Sequence, residues 1–339
     1  MKIAVLFGGF SEERAVSIAS AAKIIPVLRQ SGHEVFSVDT ATGRLSLDDE
    51  RRLLDAGVAP EPPASSDLVA LRSRPVGATL GAADIREADV VLLALHGGAG
   101  EDGRIQALLD LAGVPYTGSK HIASAVAMDK DMSKRLFRSA GVPTADWLMS
   151  PATGEDVERQ LGWPVVVKPN KQGSTIGLSV VRDAAGFDAA LQGAHRYDDE
   201  VIIERFIGGR ELTVGILDGK ALPVGEIVLP AEVFDYQAKY QVGGAREVFP
   251  AAIPEALAQR LQDLALRVHA VLKLGTYSRV DFRLDGEGQP VCLEANSLPG
   301  MTATSLLPQA ALAAGIFFPE LLDRICKGAL ESARARPSI

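Results

Sequence analysis

Sulfur and indole are scarce: the 339 residues include 2 cysteines, 5 methionines and 2 tryptophans. Cys292 and Cys326 each stand in an apolar run with no CxxC or Cys/His spacing, which argues against a disulfide framework or a structural zinc site and for two buried thiols. No apolar stretch reaches the roughly 18 residues needed to cross a bilayer. The amino-terminal MKIAVLFGG, with Glu12 and Glu13 close behind, is too short and too acidic for a secretory signal. Positive charge is not in excess either, since 35 Lys plus Arg face 43 Asp plus Glu for a net charge of −8. That balance disfavours nonspecific attraction to nucleic-acid phosphates or anionic lipid, so neither nucleic acid nor membrane is expected as a partner. The expectation is a soluble, cytoplasmic protein. No GxxxxGK[ST] occurs, which excludes a P-loop.

What is present is an ordinary globular composition, 47% apolar and 23% charged. One hydrophobic core stops growing near ~250–300 residues, so a chain of this length predicts more than one domain. Residues 2–9 read as a buried strand, 13–30 as a helix that Pro26 should kink, and 33–40 as a second strand. Between 42 and 87 the pattern weakens into peripheral elements and a surface loop that includes PEPPASS. Residues 88–98 restore a buried strand and 103–112 a helix. Continuous apolar strands alternating with helices predict a doubly wound parallel sheet over residues 1–118. Residues 119–204 read as two helical stretches followed by a small α+β unit with strands at 164–170, 177–183 and 200–207. Residues 205–339 read as a larger α+β unit, with a long helix at 254–273 and the strands YSRVDFRL and QPVCLEAN joined by the turn DGEG.

Gly98-Ala-Gly100-Glu-Asp-Gly103 matches GxGxxG, yet Glu101 and Asp102 would sit where a pyrophosphate should approach, which argues against a dinucleotide site. Lys168-Pro-Asn-Lys-Gln-Gly173-Ser174-Thr175 instead puts a lysine at a strand end before a glycine- and hydroxyl-rich turn. Backbone amides there can cradle phosphate oxygens, although a plain hairpin has the same appearance. The strongest constellation is Arg279-Val-Asp281 opposite Glu294-Ala-Asn296. Period two puts Arg279 and Asp281 on one strand face and Glu294 and Asn296 on another, so pairing brings all four to one patch. Two carboxylates and an amide beside a guanidinium suit magnesium and a transferring phosphoryl group. Downstream, Gly300 and the start of a helix at Ser305 could hold an oxyanion or a carboxylate, or Ser305 could simply cap the helix.

Taken in order, these segments resemble the D-alanine:D-alanine ligases of the ATP-grasp superfamily. The resemblance runs from Gly8-Gly-Phe-Ser-Glu-Glu13-Arg-Ala-Val-Ser17 through His96-Gly-Gly-Ala-Gly-Glu101-Asp-Gly103, Met128-Asp-Lys130 and the Lys168 loop. It continues through Glu204-Arg-Phe-Ile207, Glu211 and Phe234-Asp-Tyr236-Gln-Ala-Lys239-Tyr240 to Arg279 through Pro308. Only residues 42–87 fall outside it. It implies an ATP-grasp fold after the N-terminal domain, with residues 119–204 as the lid and 205–339 carrying the metal and catalytic residues.

Roles follow from the same resemblance. Lys130 and Lys168 would contact ATP phosphates, with Lys239 reaching toward the γ-phosphate or the carboxylate of the second D-alanine. Glu204, Phe206 and Ile207 would hold the adenine and Glu211 the ribose. Asp281, Glu294 and Asn296 would bind two Mg²⁺ ions, which Mn²⁺ could replace. Glu13 would fix the ammonium of the first D-alanine, with His96 near its carboxylate. Arg279 and the Gly300 amide would form the oxyanion site, and Ser305 with the Leu306 amide would take the carboxylate of the second D-alanine. Ser174 and Tyr240 would join Glu13 in a link that closes the site, and a tyrosine at 240 goes with an amine nucleophile rather than D-lactate. A homodimer and a role in peptidoglycan precursor synthesis are implied likewise.

The chain departs from the usual pattern in places: Ala15 replaces a glutamate, Thr175 a serine and Ser297 a threonine, and Asn170-Lys171-Gln172 is less acidic than the common phosphate loop. The competing reading is another ATP-grasp carboxylate–amine ligase with a different second substrate. Glu13, Ser174, Tyr240 and Ser305 discriminate, because those four would contact amino acids rather than ATP.

Overall fold

The computed structural model describes residues 1–55, 85–228 and 246–334. The apolar run after Lys2 forms β1 (Lys2–Phe7), followed by α1 (Arg14–Gln30), β2 (Glu34–Asp39), the short β3 (Gly43–Arg44), α2 (Leu47–Leu54), β4 (Val90–Leu93) and α3 (Arg104–Ala112). Pro26, expected to kink α1, lies inside one uninterrupted helix. The sheet order is β3-β2-β1-β4, with β1 parallel to both β2 and β4 and only the edge strand β3 antiparallel. β1 therefore has neighbours from opposite directions of winding. The crevice beyond the carboxyl ends of β1 and β4 is the place where such sheets bind ligands. Ser17 ties that crevice together: its hydroxyl accepts from the Gly8 amide at 2.8 Å and donates to the Ala94 carbonyl at 2.5 Å.

Next come α4 (His121–Met128) and α5 (Lys130–Ser139), separated by Asp129, whose carboxylate accepts from the Met132 amide and caps α5. A second sheet follows, built from β5 (Trp147–Met149), α6 (Gly154–Gln160), β6 (Val165–Pro169), β7 (Ser179–Val181), α7 (Phe187–His195) and β8 (Val201–Arg205). Its order is β5-β8-β6-β7 and every pairing is antiparallel. β5 and α6 have no counterpart in the sequence reading.

The third sheet contains β9 (Glu211–Leu217), β10 (Lys220–Ala221), β11 (Gly225–Val228) and β12 (Arg246–Val248). After α8 (Glu255–Val271) come β13 (Tyr277–Leu284), β14 (Pro290–Asn296), α9 (Leu306–Ala313) and α10 (Phe318–Arg334). Its main path is β12-β11-β9-β13-β14. The cores cross the chain order. Leu321, Leu322, Ile325 and Cys326 of α10 are buried with β1, β4 and α1 in the first core. Ala123, Ala127 and Phe137 of α4 and α5 are buried with β9, β13 and α8 in another. Thus α4 and α5, which follow the first sheet in sequence, pack on the third, and the second sheet has a small core of its own around Val165, Val167, Phe187 and Ile203. Among the described residues no single helix is long and apolar enough to cross a membrane.

Candidate active site

The three sheets face a common cavity of about 520 Å³. Every site residue singled out in the sequence lines it, apart from Tyr240 and Lys239, which lie outside the described residues. From the first sheet come Glu13, immediately before α1, and His96, just past β4; both are buried. Gly97 lies between them in space for a steric reason. Its φ is +64°, and a Cβ there would stand 2.7 Å from the Glu13 Oε2, so only glycine leaves that carboxylate its place. Arg14 grips Asp39 at the end of β2, with Nη2 to Oδ2 at 2.6 Å, and donates to the Gly9 carbonyl at 2.9 Å, fixing the turn that leads to Glu13. The His96 ring is 3.1 Å from the Ser20 hydroxyl and 3.8 Å from Glu101. The GxGxxG segment forms a single 3₁₀ turn at Gly98–Gly100 after β4, and a Cβ on Gly103 would meet the His121 carbonyl oxygen at 2.3 Å. Gly103 thus serves packing against α4, whereas a Cβ on Gly100 would meet Leu95 at 2.6 Å.

Between β6 and β7 the loop carrying Ser174 reaches across to the first sheet, where the Ser174 hydroxyl donates to Glu13 Oε1. Ser174 and Thr175 hold φ values of +52° and +59°, a conformation that a β-branched residue rarely adopts. The loop root is tied to α5: Asn170 donates to Asp129 at 2.9 Å and accepts from the Asp131 amide at 2.9 Å, and Lys130 donates to the Gln172 carbonyl at 2.6 Å.

Behind this loop sits a buried charge cluster. Glu204 on β8 has Lys168 Nζ 2.8 Å from Oε2 and Lys134 Nζ 3.0 Å from Oε1. Burial pushes the Glu204 carboxyl up, but the two ammonium groups outweigh it and bring it down to about 2. Burial also opposes the charge on Lys168, yet Glu204 and Glu294 prevail and raise its pKa. Lys134 goes the other way, lowered chiefly by burial. Farther along, Arg283 donates to the Ile207 carbonyl at 3.0 Å and to Glu211 at 3.1 and 3.2 Å, and stacks 5.7 Å from the Phe206 ring.

The β13–β14 ribbon supplies the opposite wall. Arg279 pairs with Asn296 and Asp281 with Glu294, so all four share the cavity face. The register then shifts between Asp281 and Phe282, a bulge that turns Leu293 as well as Glu294 toward the cavity. Arg279 forks onto Asp281, with Nε to Oδ1 at 2.9 Å and Nη2 to Oδ2 at 2.8 Å. Asp281 also accepts from Asn296 at 2.9 Å and from Thr213 of the neighbouring β9 at 2.7 Å. Lys130 lies 3.5 Å from Glu294. Two carboxylates and a carboxamide oxygen are hard donors on adjacent strands, a set that fits Mg²⁺ and excludes a thiolate- or imidazole-seeking metal. Ser305 precedes α9 without capping it: its hydroxyl accepts from the Thr302 amide at 3.0 Å. The alternative of a plain serine cap is therefore set aside. Leu306 opens α9, where helix geometry leaves backbone amides without intrahelical acceptors.

Sequence reasoning passed over Lys134, Thr213 and Arg283, each of which holds one of the predicted residues. The signal for Lys134 was its position one helical turn after Lys130. For Thr213 and Arg283 the signal was strand periodicity shared with Glu211 and Asp281.

Comparison with known proteins agrees with this geometry. A family model described as D-ala D-ala ligase N-terminus matches residues 2–119, and one described as D-ala D-ala ligase C-terminus matches residues 136–327. A D-alanine–D-alanine ligase of Citrifermentans bemidjiense is 42% identical over 328 residues, spanning 97% of this chain and 96% of the relative. One from Geobacter sulfurreducens is 39% identical over 328 residues, 96% of this chain and 92% of the relative. Among solved structures, the D-alanine–D-alanine ligase of Bacillus anthracis complexed with ATP superimposes with a TM-score of 0.75 at 31% identity over 100% of both chains. The VanG D-Ala:D-Ser ligase of Enterococcus faecalis gives a TM-score of 0.80 at 27% identity, covering 97% of this chain and 99% of that one. With both halves matched and relatives aligned from end to end around one lysine-, carboxylate- and arginine-lined cavity, this chain belongs to the D-alanine–D-alanine ligase family and has its ATP-grasp fold.

Proposed function

We propose that this chain joins two D-alanines into D-alanyl-D-alanine at the expense of ATP, through an acyl phosphate, to supply peptidoglycan precursors in the cytoplasm. The observation that carries the reading is the convergence of Glu13, Lys168, Arg279, Asp281 and Glu294 on one cavity. Amide formation from a free acid is obstructed because a carboxylate is a poor electrophile. One carboxylate oxygen of the first D-alanine attacks the γ-phosphorus and ADP leaves. The amine of the second D-alanine then attacks the acyl carbon, and phosphate departs with that oxygen.

In this reading Glu13 holds the first ammonium, with His96 beside the carboxylate. Glu204, Phe206 and Ile207 receive the adenine and Glu211 the ribose, while Lys130 and Lys168 face the phosphates. Asp281, Glu294 and Asn296 would hold two Mg²⁺ ions, which when bound offset the charge on the transferring phosphoryl group. Arg279 and the Gly300 amide stabilise the oxyanion that forms when the amine adds. Ser305 and the Leu306 amide receive the second carboxylate. The Ser174 loop, joined to Glu13, covers the site and keeps water from the acyl phosphate.

The test is ADP and phosphate release with D-alanine, D-serine and D-lactate, singly and in pairs, with the product identified by mass. D-Alanine alone should sustain turnover to the dipeptide. Turnover only with a different acid would overturn the substrate assignment, and absence of ADP release with every acid would overturn the ligase reading.

A further inference from the structure

We propose that Lys134 is a positioning residue: a resident counter-ion for Glu204 that frees Lys168 to leave that carboxylate and engage the nucleotide's phosphates. The inference rests on the reading of this cavity as the ATP site.

Lys130 and Lys134 stand one turn apart on the same face of α5, but only Lys130 reaches the cavity. Lys134 is 1% exposed and lies behind Glu204. It has no room to move: Nζ contacts Glu204 at 3.0 Å and donates to the Thr144 hydroxyl at 2.9 Å, with the Trp147 ring 5.2 Å away. Thr144 passes the contact on, donating to the Cys292 carbonyl on β14 at 2.8 Å. Lys134 thereby pins β8 of the second sheet to β14 of the third, next to Glu294.

Charge balance gives this arrangement a consequence. One buried carboxylate is shared by two ammonium groups, so Glu204 with Lys134 is neutral and Lys168, which also feels Glu294 across the cavity, is surplus to Glu204. Lys168 lines the cavity and approaches the opposite carboxylate oxygen at 2.8 Å. An incoming phosphate can take it without leaving a buried anion unpaired. If Lys134 were absent, Lys168 would be the remaining lysine on Glu204, and withdrawing it would strand a buried charge, which is strongly disfavoured. Lys168 would then stay on Glu204.

The experiment compares ATP with adenosine, which lacks every phosphate, by calorimetric titration or competition on the full chain. In Lys134→Met, ATP affinity should fall at least tenfold while adenosine affinity changes less than threefold. Adding Glu204→Gln should restore the ATP-over-adenosine preference, because nothing then captures Lys168. A purely structural role would weaken both ligands alike, and that result, or an unchanged preference, would overturn the proposal. Should Lys134→Met fail to fold, the Glu204→Gln background decides. There, removing Lys134 should leave the preference unchanged, and a further loss would contradict the counter-ion role. If the unaltered chain binds ATP no better than adenosine, the nucleotide reading itself fails, whatever Lys134 does.

Discussion

Replacing Arg279 probes the chemistry where the geometry is most constrained. Its guanidinium meets Asp281 through three contacts of 2.8, 2.9 and 3.2 Å, and both side chains are largely withdrawn from solvent. A lysine at this position keeps the charge but cannot span a carboxylate at two points. In Arg279→Lys the ammonium is expected to settle on Asp281 and to leave the developing oxyanion with the Gly300 amide as its one remaining proposed donor. Removing one such donor typically costs ~10²–10³ in kcat, or about 3–4 kcal/mol of transition-state stabilisation. Coupled ADP-release assays should therefore show kcat down by about two to three orders of magnitude with KM for ATP moved only a few-fold, since the lost interaction belongs to the transition state. Asp281 retains Thr213 and Asn296 as partners, so the variant should fold. A kcat within tenfold of the parent, or a loss confined to KM, would refute the role assigned to this guanidinium.

Other consequences are testable in the same preparations. Burial raises both thiols, Cys326 to about 12 and Cys292 well above its ordinary value. The native protein at pH 8 should thus resist a thiol reagent until denaturant is added, and rapid labelling of native Cys292 would contradict its burial. Glu204 is depressed from an ordinary 4.5 to about 2, so its contribution is fully present above pH 4.5 and lost as pH falls through 2. That shift corresponds to about 3 kcal/mol. The urea-stability gap between the parent and Glu204→Gln should consequently narrow as pH falls from 7 toward 2, and a gap independent of pH would count against the cluster.

The β13–β14 ribbon was legible because a strand has a strict period of two. Arg279, Asp281, Glu294 and Asn296 alternate with apolar Val280, Phe282 and Ala295, and the DGEG turn makes the two strands partners. The buried strands expected at residues 2–9 and 88–98 were equally plain, since continuous apolar runs fit a parallel sheet covered on both faces, and they form over the shorter spans Lys2–Phe7 and Val90–Leu93. What sequence could not convey is which distant surfaces meet. The helices at 121–139 were assigned with the second sheet by chain order, whereas Ala127 and Phe137 are buried against the third. Lys134 reads locally as one more charge on a polar helix, and its burial follows only from the arrival of Glu204 and Thr144 from other elements. The strand at Trp147–Met149 is too short to show a period, and its pairing with β8 is what makes it a strand.

The proposed ligation requires a carboxylate oxygen to pass to the γ-phosphoryl group before the peptide bond forms. Turnover with D-alanine labelled with ¹⁸O in both carboxylate oxygens measures this directly. One label should appear in the inorganic phosphate for each dipeptide made. Unlabelled phosphate, with the displaced labelled oxygen found in water instead, would contradict it.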